Sequence, residues 1–248
     1  MNETCFRRSA PVFFADCVDS TNLYLRRMAE QAADGTAVVA RRQSAGRGRS
    51  GRSFLSPEGG LYLSALFRPA CEPERLPTLT PVAAVAVCRA VGRVCGRQCA
   101  IKWPNDVVLG GKKICGILVE SVLGGGRPCV IVGIGVNVNT AAFPEELRAV
   151  AGSIASVSGE ETDLDALAAA LLAELDDCYA AWLADEGFCL AEYRARCLTP
   201  GCEVLCGGRS ALAEGIGEDY SLLVSYPDGT REALRFGEVS VRGLYGYV

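Results

Sequence analysis

Three short stretches of this sequence gather groups that can hold anions, orient polar ligands or move protons. QSAGRGRSGRSF, from Gln43 to Phe54, interleaves Arg47, Arg49 and Arg52 with Gly46, Gly48 and Gly51. Glycine lets the backbone approach a ligand closely and adopt positive φ. Arginine supplies forked, permanently charged donors suited to phosphate or carboxylate. IKWPNDVVLGGKKICGIL, residues 101–118, brackets a hairpin with Lys102 and Lys113 and sets Asn105 and Asp106 in a turn after Pro104. Lys113 opens a hydrophobic strand, so its cation emerges at the edge of a core and can reach into a cleft. Gly116, three residues on, would let a substrate lie flat against that strand. DSTNLYL places Ser20, Thr21 and Asn22 at a helix N-terminus, where free N–H groups favour a polar or anionic group. Each stretch also has a plainer reading: a solvated or RNA-touching Gly/Arg loop, a turn with solvated lysines, an ordinary helix cap. A fourth stretch, VGIGVNVN, is a weak nucleotide fingerprint. It lacks a third glycine and runs into more strand instead of a helix, so a dinucleotide fold fails its own structural test.

Composition narrows the chemistry. The chain has no histidine, which removes Ser-His-Asp and Cys-His catalysis and any histidine base near neutral pH. A formal net charge of -4 argues against wholesale binding to nucleic acid or anionic membrane, while a local basic loop stays free to act on one small anion. Thirteen cysteines, an odd number with no CxxC spacing, read as reduced, packed side chains in a cytoplasmic protein. Cys115, beside Lys113, reads the same way. No apolar stretch follows the N-terminal arginines, and the longest apolar run, Pro81 to Ala90, falls short of the ~20 residues of a membrane helix. Neither a secretion signal nor a membrane span is expected.

The elements that must position these residues follow from periodicity. Val12 to Phe14 reads as a strand. A helix capped within Asp19, Ser20 and Thr21 runs to Gly35. TAVVARRQ and GLYLSALFRP are strands on either side of the Gly/Arg loop. Thr80-Pro81 opens an apolar helix reaching about Gly96. AIKW, DVVL and KICGILVES are strands joined by tight turns, GGGRP is a further turn, and CVIVGIGVNVN is a strand covered on both faces. Thr162 caps a long helix with Leu164, Leu167, Ala168, Leu171, Leu172 and Leu175 on one stripe. A short helix carries Leu190, Tyr193 and Leu198. After Pro200 only short strands and turns follow, EVSVRGLY the last, so residues 200–248 read as a small barrel-like module behind a domain of residues 1–199.

Taken together and in this order, STN, QSAGRGRSGR, GLYLS, KWPND, KKICGILVE and VGIGVN resemble the biotin–protein ligase family. The resemblance implies an α+β fold, a mixed β-sheet flanked by helices with a small C-terminal SH3-like β-barrel. It implies two steps: biotin and ATP, with Mg2+, give biotinyl-5′-AMP and pyrophosphate, and a lysine of a biotin carboxyl carrier protein then takes the biotin. It assigns Ser20, Thr21, Asn22, Gln43, Gly48 and Gly116 to biotin, and Arg47 and Arg49 to biotin's carboxylate and the adenylate. Lys113 bridges carboxylate and α-phosphate. Phe54, Lys102, Asn105 and Asn137 fall on the nucleotide side, the metal arriving with ATP, and Asp106 orients or deprotonates the acceptor lysine. Two positions depart from the family: Ser50 stands where arginine is common, and Phe54 where tryptophan is usual. Eleven residues before the first strand leave no room for a helix-turn-helix, so no specific DNA binding is expected. An exposed sheet edge allows a homodimer. The rivals are a lipoate–protein ligase or octanoyltransferase, a non-catalytic biotin sensor, and an RNA-binding protein.

Overall fold

The near-continuous apolar run CVIVGIGVN lies where both its faces are covered, inside a seven-stranded sheet. A computed structural model describes residues 9–123, 128–185, 187–235 and 239–241. In chain order the elements are β1 (Val12–Val18), α1 (Thr21–Arg27), β2 (Ala37–Gln43), β3 (Gly60–Phe67), α2 (Leu79–Cys95), β4 (Ala100–Lys102), β5 (Asp106–Leu109), β6 (Lys112–Val122) and β7 (Cys129–Asn137). Then come α3 (Glu145–Arg148), α4 (Ile154–Ser158), α5 (Leu164–Ala184) and α6 (Leu190–Arg196). β8 (Glu203–Cys206), β9 (Arg209–Ile216), β10 (Leu222–Ser225), β11 (Arg231–Leu234) and β12 (Val239–Val241) complete the described chain. The large sheet runs β1-β2-β3-β7-β6-β5-β4; β1 and β2 are parallel and the other neighbours antiparallel, so it is mixed, as expected.

Its two faces differ. One is covered by α2 and α5, whose buried Val82, Val85, Leu167, Leu171 and Leu175 pack into a single apolar cluster with Val39, Leu63 and Val132. Among the described residues the other carries α1, seated through Leu25 on Val38, Leu66 and Ile131, and beside it the Gly/Arg loop. The C-terminal strands form the expected second sheet, of order β11-β10-β9-β8-β12 and antiparallel throughout, in keeping with an SH3-like module. The apolar cluster continues into it. Trp103 donates its indole N–H to the Tyr220 carbonyl at 2.9 Å, and Tyr193 meets the Tyr220 ring edge-on.

Several boundaries differ from the sequence reading. α1 stops at Arg27, well before Gly35; beyond it the Arg68 guanidinium donates to the carbonyls of Ala29 and Ala32. α2 starts at Leu79 after a 3-10 turn over Pro73–Thr78, so Pro81 is not its first residue. By length and composition Pro73–Cys95 could cross a membrane, yet here it is a core helix packed on α5. Asp163, not Thr162, caps α5: its carboxylate accepts from the N–H groups of Asp165 and Ala166, while Thr162 exchanges bonds with the Asn139 amide. Asp106 opens β5 paired with Lys102 and is not part of the turn. Leu198 lies beyond α6, its N–H bonded to the Ile101 carbonyl. The turn expected at Gly124–Gly126 and the end of EVSVRGLY lie outside the described residues.

Candidate active site

Period-two alternation puts Gly133 and Gly135 of β7 on one face of the sheet, with Gly116 of β6 directly opposite Gly135. These three glycines form the floor of a pocket of about 210 Å³. Each is glycine because a neighbour occupies the space of its side chain. A Cβ on Gly133 would collide with the Asn22 amide, one on Gly135 would come within 2.5 Å of the Phe54 ring, and one on Gly116 within 3.1 Å of it. The GxG of VGIGVN is thus a sheet floor, not a phosphate turn.

One end of the pocket is polar and its one ion pair, Arg47 with Glu120, leaves it without net charge. The Gln43 side-chain oxygen accepts from the Thr21 N–H at 2.8 Å and hydroxyl at 3.1 Å, and its amide donates to Ser56 Oγ at 2.8 Å. Buried Ser64 reaches Thr21 Oγ1 at 2.7 Å and Asn22 Oδ1 at 2.6 Å. The Asn22 amide donates to the Leu118 carbonyl and, at 2.8 Å, to Glu120. Ser20 is the N-cap of α1, but its hydroxyl makes no capping bond. The STN cluster therefore builds a network across four elements; it does not simply cap a helix.

The other end is cationic. Lys113 Nζ lies 2.7 Å from Asp106 Oδ1, with both side chains largely buried. The Lys113 backbone is fixed as well: its N–H bonds the Val150 carbonyl and its carbonyl takes the Gly152 N–H. Arg49 donates to Asn105 Oδ1 at 3.0 Å, and the Asn105 amide is held by the Ile117 carbonyl. Burial, then the charges of Lys113, Arg49 and Arg52, push the Lys102 ammonium below its usual range against the opposing pull of Asp106.

The Gly/Arg loop is ordered over this floor as a small hairpin. Arg47 bridges Ser53, the Gly48 N–H bonds the Arg52 carbonyl, and the turn passes through Ser50 at φ 54 and Gly51 at φ 76. Ser50, one of the two departures, is an exposed turn residue that does not line the pocket. Phe54, the other, lies on Gly116 and Gly135 and meets Tyr62 edge-on at 6.5 Å between centroids.

Of the residues singled out by sequence, Ser20, Thr21, Asn22, Gln43, Arg47, Gly48, Arg49, Phe54, Lys102, Asn105, Asp106, Lys113 and Gly116 all line the one pocket. Asn137 does not; its amide donates to the Gly152 carbonyl at 3.1 Å, and its buried Oδ1 has no hydrogen-bond partner. Sequence reasoning missed Ser56, Ser64, Glu120 and the role of Gly133 and Gly135. The alternation of small residues in VGIGVN was the available signal. Among the described residues no cluster of three or more His, Cys, Asp or Glu could hold a metal, and Asp106, tied to Lys113, is the only carboxylate lining the pocket. Cys115 is fully buried, and burial pushes its thiol up, away from a nucleophile's range.

The biotin/lipoate A/B protein ligase family model matches residues 14–137. The chain belongs to this family. It is 42% identical over 157 residues to the bifunctional ligase/repressor BirA of Bacillus spizizenii, covering 61% of this chain and 48% of that protein. It is 34% identical over 210 residues to the biotin–[acetyl-CoA-carboxylase] ligase of Mycobacterium tuberculosis, covering 81% of this chain and 76% of the relative. The structure of the Aquifex aeolicus biotin protein ligase in complex with biotin and ATP superposes with a TM-score of 0.81 at 30% identity, covering 94% of this chain and 98% of that one. The chain spans about half the length of the BirA relatives it matches.

Proposed function

We propose that this protein is an ATP-dependent biotin–protein ligase. The observation that carries the reading is the polarity of the pocket: one glycine floor, an uncharged polar network at one end, and Lys113, Asp106, Lys102 and Arg49 at the other. Biotin has a neutral ureido head and an anionic tail, and the pocket has the matching halves. Ser20, Thr21, Asn22 and Gln43 take the head, the tail runs alongside Phe54 and Gly48, and its carboxylate reaches Lys113 and Arg49.

In the first step a carboxylate oxygen attacks the α-phosphorus of ATP and pyrophosphate leaves. Two anions must be brought into contact while charge builds on phosphoryl oxygens. Lys113, fixed at backbone and side chain, and the loop arginine Arg49 offset that charge without reorganising, whereas Arg47 is paired with Glu120. Lys102, Asn105 and Phe54 border the nucleotide side. Asn137, with its unpaired buried oxygen, is assigned there too. Magnesium bound with ATP would supply charge neutralisation on the phosphates; among the described residues the one carboxylate on the pocket wall, Asp106, is tied to Lys113. In the second step an acceptor lysine amine attacks the carbonyl carbon, the bond to the phosphoryl oxygen breaks, and AMP leaves. The amine must first lose a proton, and we assign its acceptance to Asp106. The ordered loop keeps water from the mixed anhydride between the two steps. The acceptor is a biotin carboxyl carrier protein or domain, and the reaction belongs in the cytoplasm, where reduced cysteines persist.

The test is ATP–pyrophosphate exchange with biotin, magnesium and no acceptor, followed by transfer to a carrier domain. Biotin-dependent exchange that Lys113→Ala abolishes supports the reading. Exchange with lipoate in place of biotin would move the protein to the sister activity. No exchange with either, from folded protein, would leave a sensor and overturn the mechanism.

A further inference from the structure

Arg47 and Arg49 are two residues apart, yet their guanidinium groups serve opposite ends of the pocket. Arg49 is held by Asn105, beside Ile117 and the Lys113–Asp106 pair. Arg47 lies 3.3 Å from the carboxylate of Glu120. Glu120 is three residues beyond Ile117 on β6, roughly 10 Å at the rise of a strand. The same carboxylate accepts the Asn22 amide at 2.8 Å. Glu120 is thus a clasp joining β6, the start of α1 and the Gly/Arg loop, and its side chain is only 19% exposed. Without it, Arg47 would place an unbalanced cation at the end of the pocket that is otherwise neutral.

We propose that Glu120 is a specificity-determining positioning residue: by neutralising Arg47 and orienting Asn22, it keeps the head end of the pocket free of net charge. That end then accepts an uncharged polar head and leaves the anionic tail a single destination, at Lys113. The inference rests on the biotin reading and deepens it. It assigns the orientation of the ligand to the difference in charge between two ends of one pocket, and that difference to one carboxylate which does not itself line the cavity.

The test is a cycle on the full chain by isothermal titration, with biotin, ATP and a nine-carbon straight-chain dicarboxylate as probes. Wild-type binding of biotin is the requirement of the underlying reading; its failure would overturn the ligase assignment and this inference with it. Given binding, Glu120→Gln and Arg47→Met should each weaken biotin about five- to tenfold, as expected for an unpaired charge at a partly buried site. The double variant Arg47→Met/Glu120→Gln should recover to within about twofold of wild type, since the end is neutral again. ATP affinity should not change in Glu120→Gln, whose substituted side chain does not line the pocket. Glu120→Gln should also gain affinity for the dicarboxylate, whose second anion now finds a cation at the head end. Losses that add in the double variant, biotin binding unchanged in Glu120→Gln, or no gain for the dicarboxylate would each overturn the inference.

Discussion

The two faces of the large sheet are made from the same strands and obey opposite rules. On the α2–α5 face, alternate residues are large and apolar, Leu63, Val132 and Val136 among them, and each is complementary to another side chain of the chain itself. On the pocket face the alternate residues are Gly116, Gly133, Gly135 and Ser64, too small to fill the space above them, and that space is shared by Asn22, Phe54 and the pocket. One face stabilises the fold and the other gives up burial to form a site. Period-two alternation lets one strand do both, with limited interference between them.

That separation can be tested by substitutions on each side. Lys113→Ala, on the pocket side, should lower biotin-dependent exchange about 100- to 1000-fold, the usual loss for one preorganised charge-stabilising group, and leave thermal stability near wild type. Leu171→Ala, on the helical side, should do the reverse. It removes about 2–5 kcal/mol of stability in denaturant unfolding, with the biotin KM of the folded fraction unchanged. Coupled losses in both variants would break the comparison. Gly135→Ala sharpens it: the added methyl meets the Phe54 ring, so overpacking of about 1–3 kcal/mol falls on the loop and raises the biotin Kd more than it lowers the melting temperature.

The smallest effect lies outside both faces. The Arg27 guanidinium beside Asp19 holds its carboxyl at about 2, against 3.8 unperturbed. A depressed carboxylate stabilises the fold above its unfolded pKa and ceases to do so as pH falls through the folded one. Wild type should therefore exceed Asp19→Asn in stability above about pH 4, and the difference should vanish towards pH 2, as acid titrations of both would record. The pair is exposed, so the difference is small at any pH.

Much of this was legible in the sequence. The α5 stripe and the strand run CVIVGIGVN were plain because periodicity and burial pattern are local properties. Lys113, Arg49 and Asn22 stood out because charged or amide groups beside apolar runs are conspicuous. Glu120 and Ser64 did not. Glu120 looks like the polar end of a strand, and its partner Asn22 is 98 positions away. Ser64 looks like one small residue in a buried strand, and its meaning comes from a hydroxyl and an amide more than 40 positions earlier. The end of α1 was hidden for a related reason: the carbonyls just beyond it are taken by Arg68, a residue no window around the helix contains.

The register of β3 against β7 sets an order of events. Gly60 pairs with Asn137 and Phe67 with Val130, across a long stretch of intervening chain, whereas β5 and β6 are joined by a tight hairpin turn. Closing the long loop carries its entropic cost before any contact rewards it, so β3 joins β7 late. Ser64 sits on β3 and Gly133 on β7, so the polar network cannot exist until that pairing is made. Pulse-labelled hydrogen exchange during refolding should find the β5–β6 amides protected first and the amides bonded between β3 and β7 last. A newly made chain would then acquire its ability to bind ligand only at the end of folding, and ligand present at that moment would trap the completed sheet.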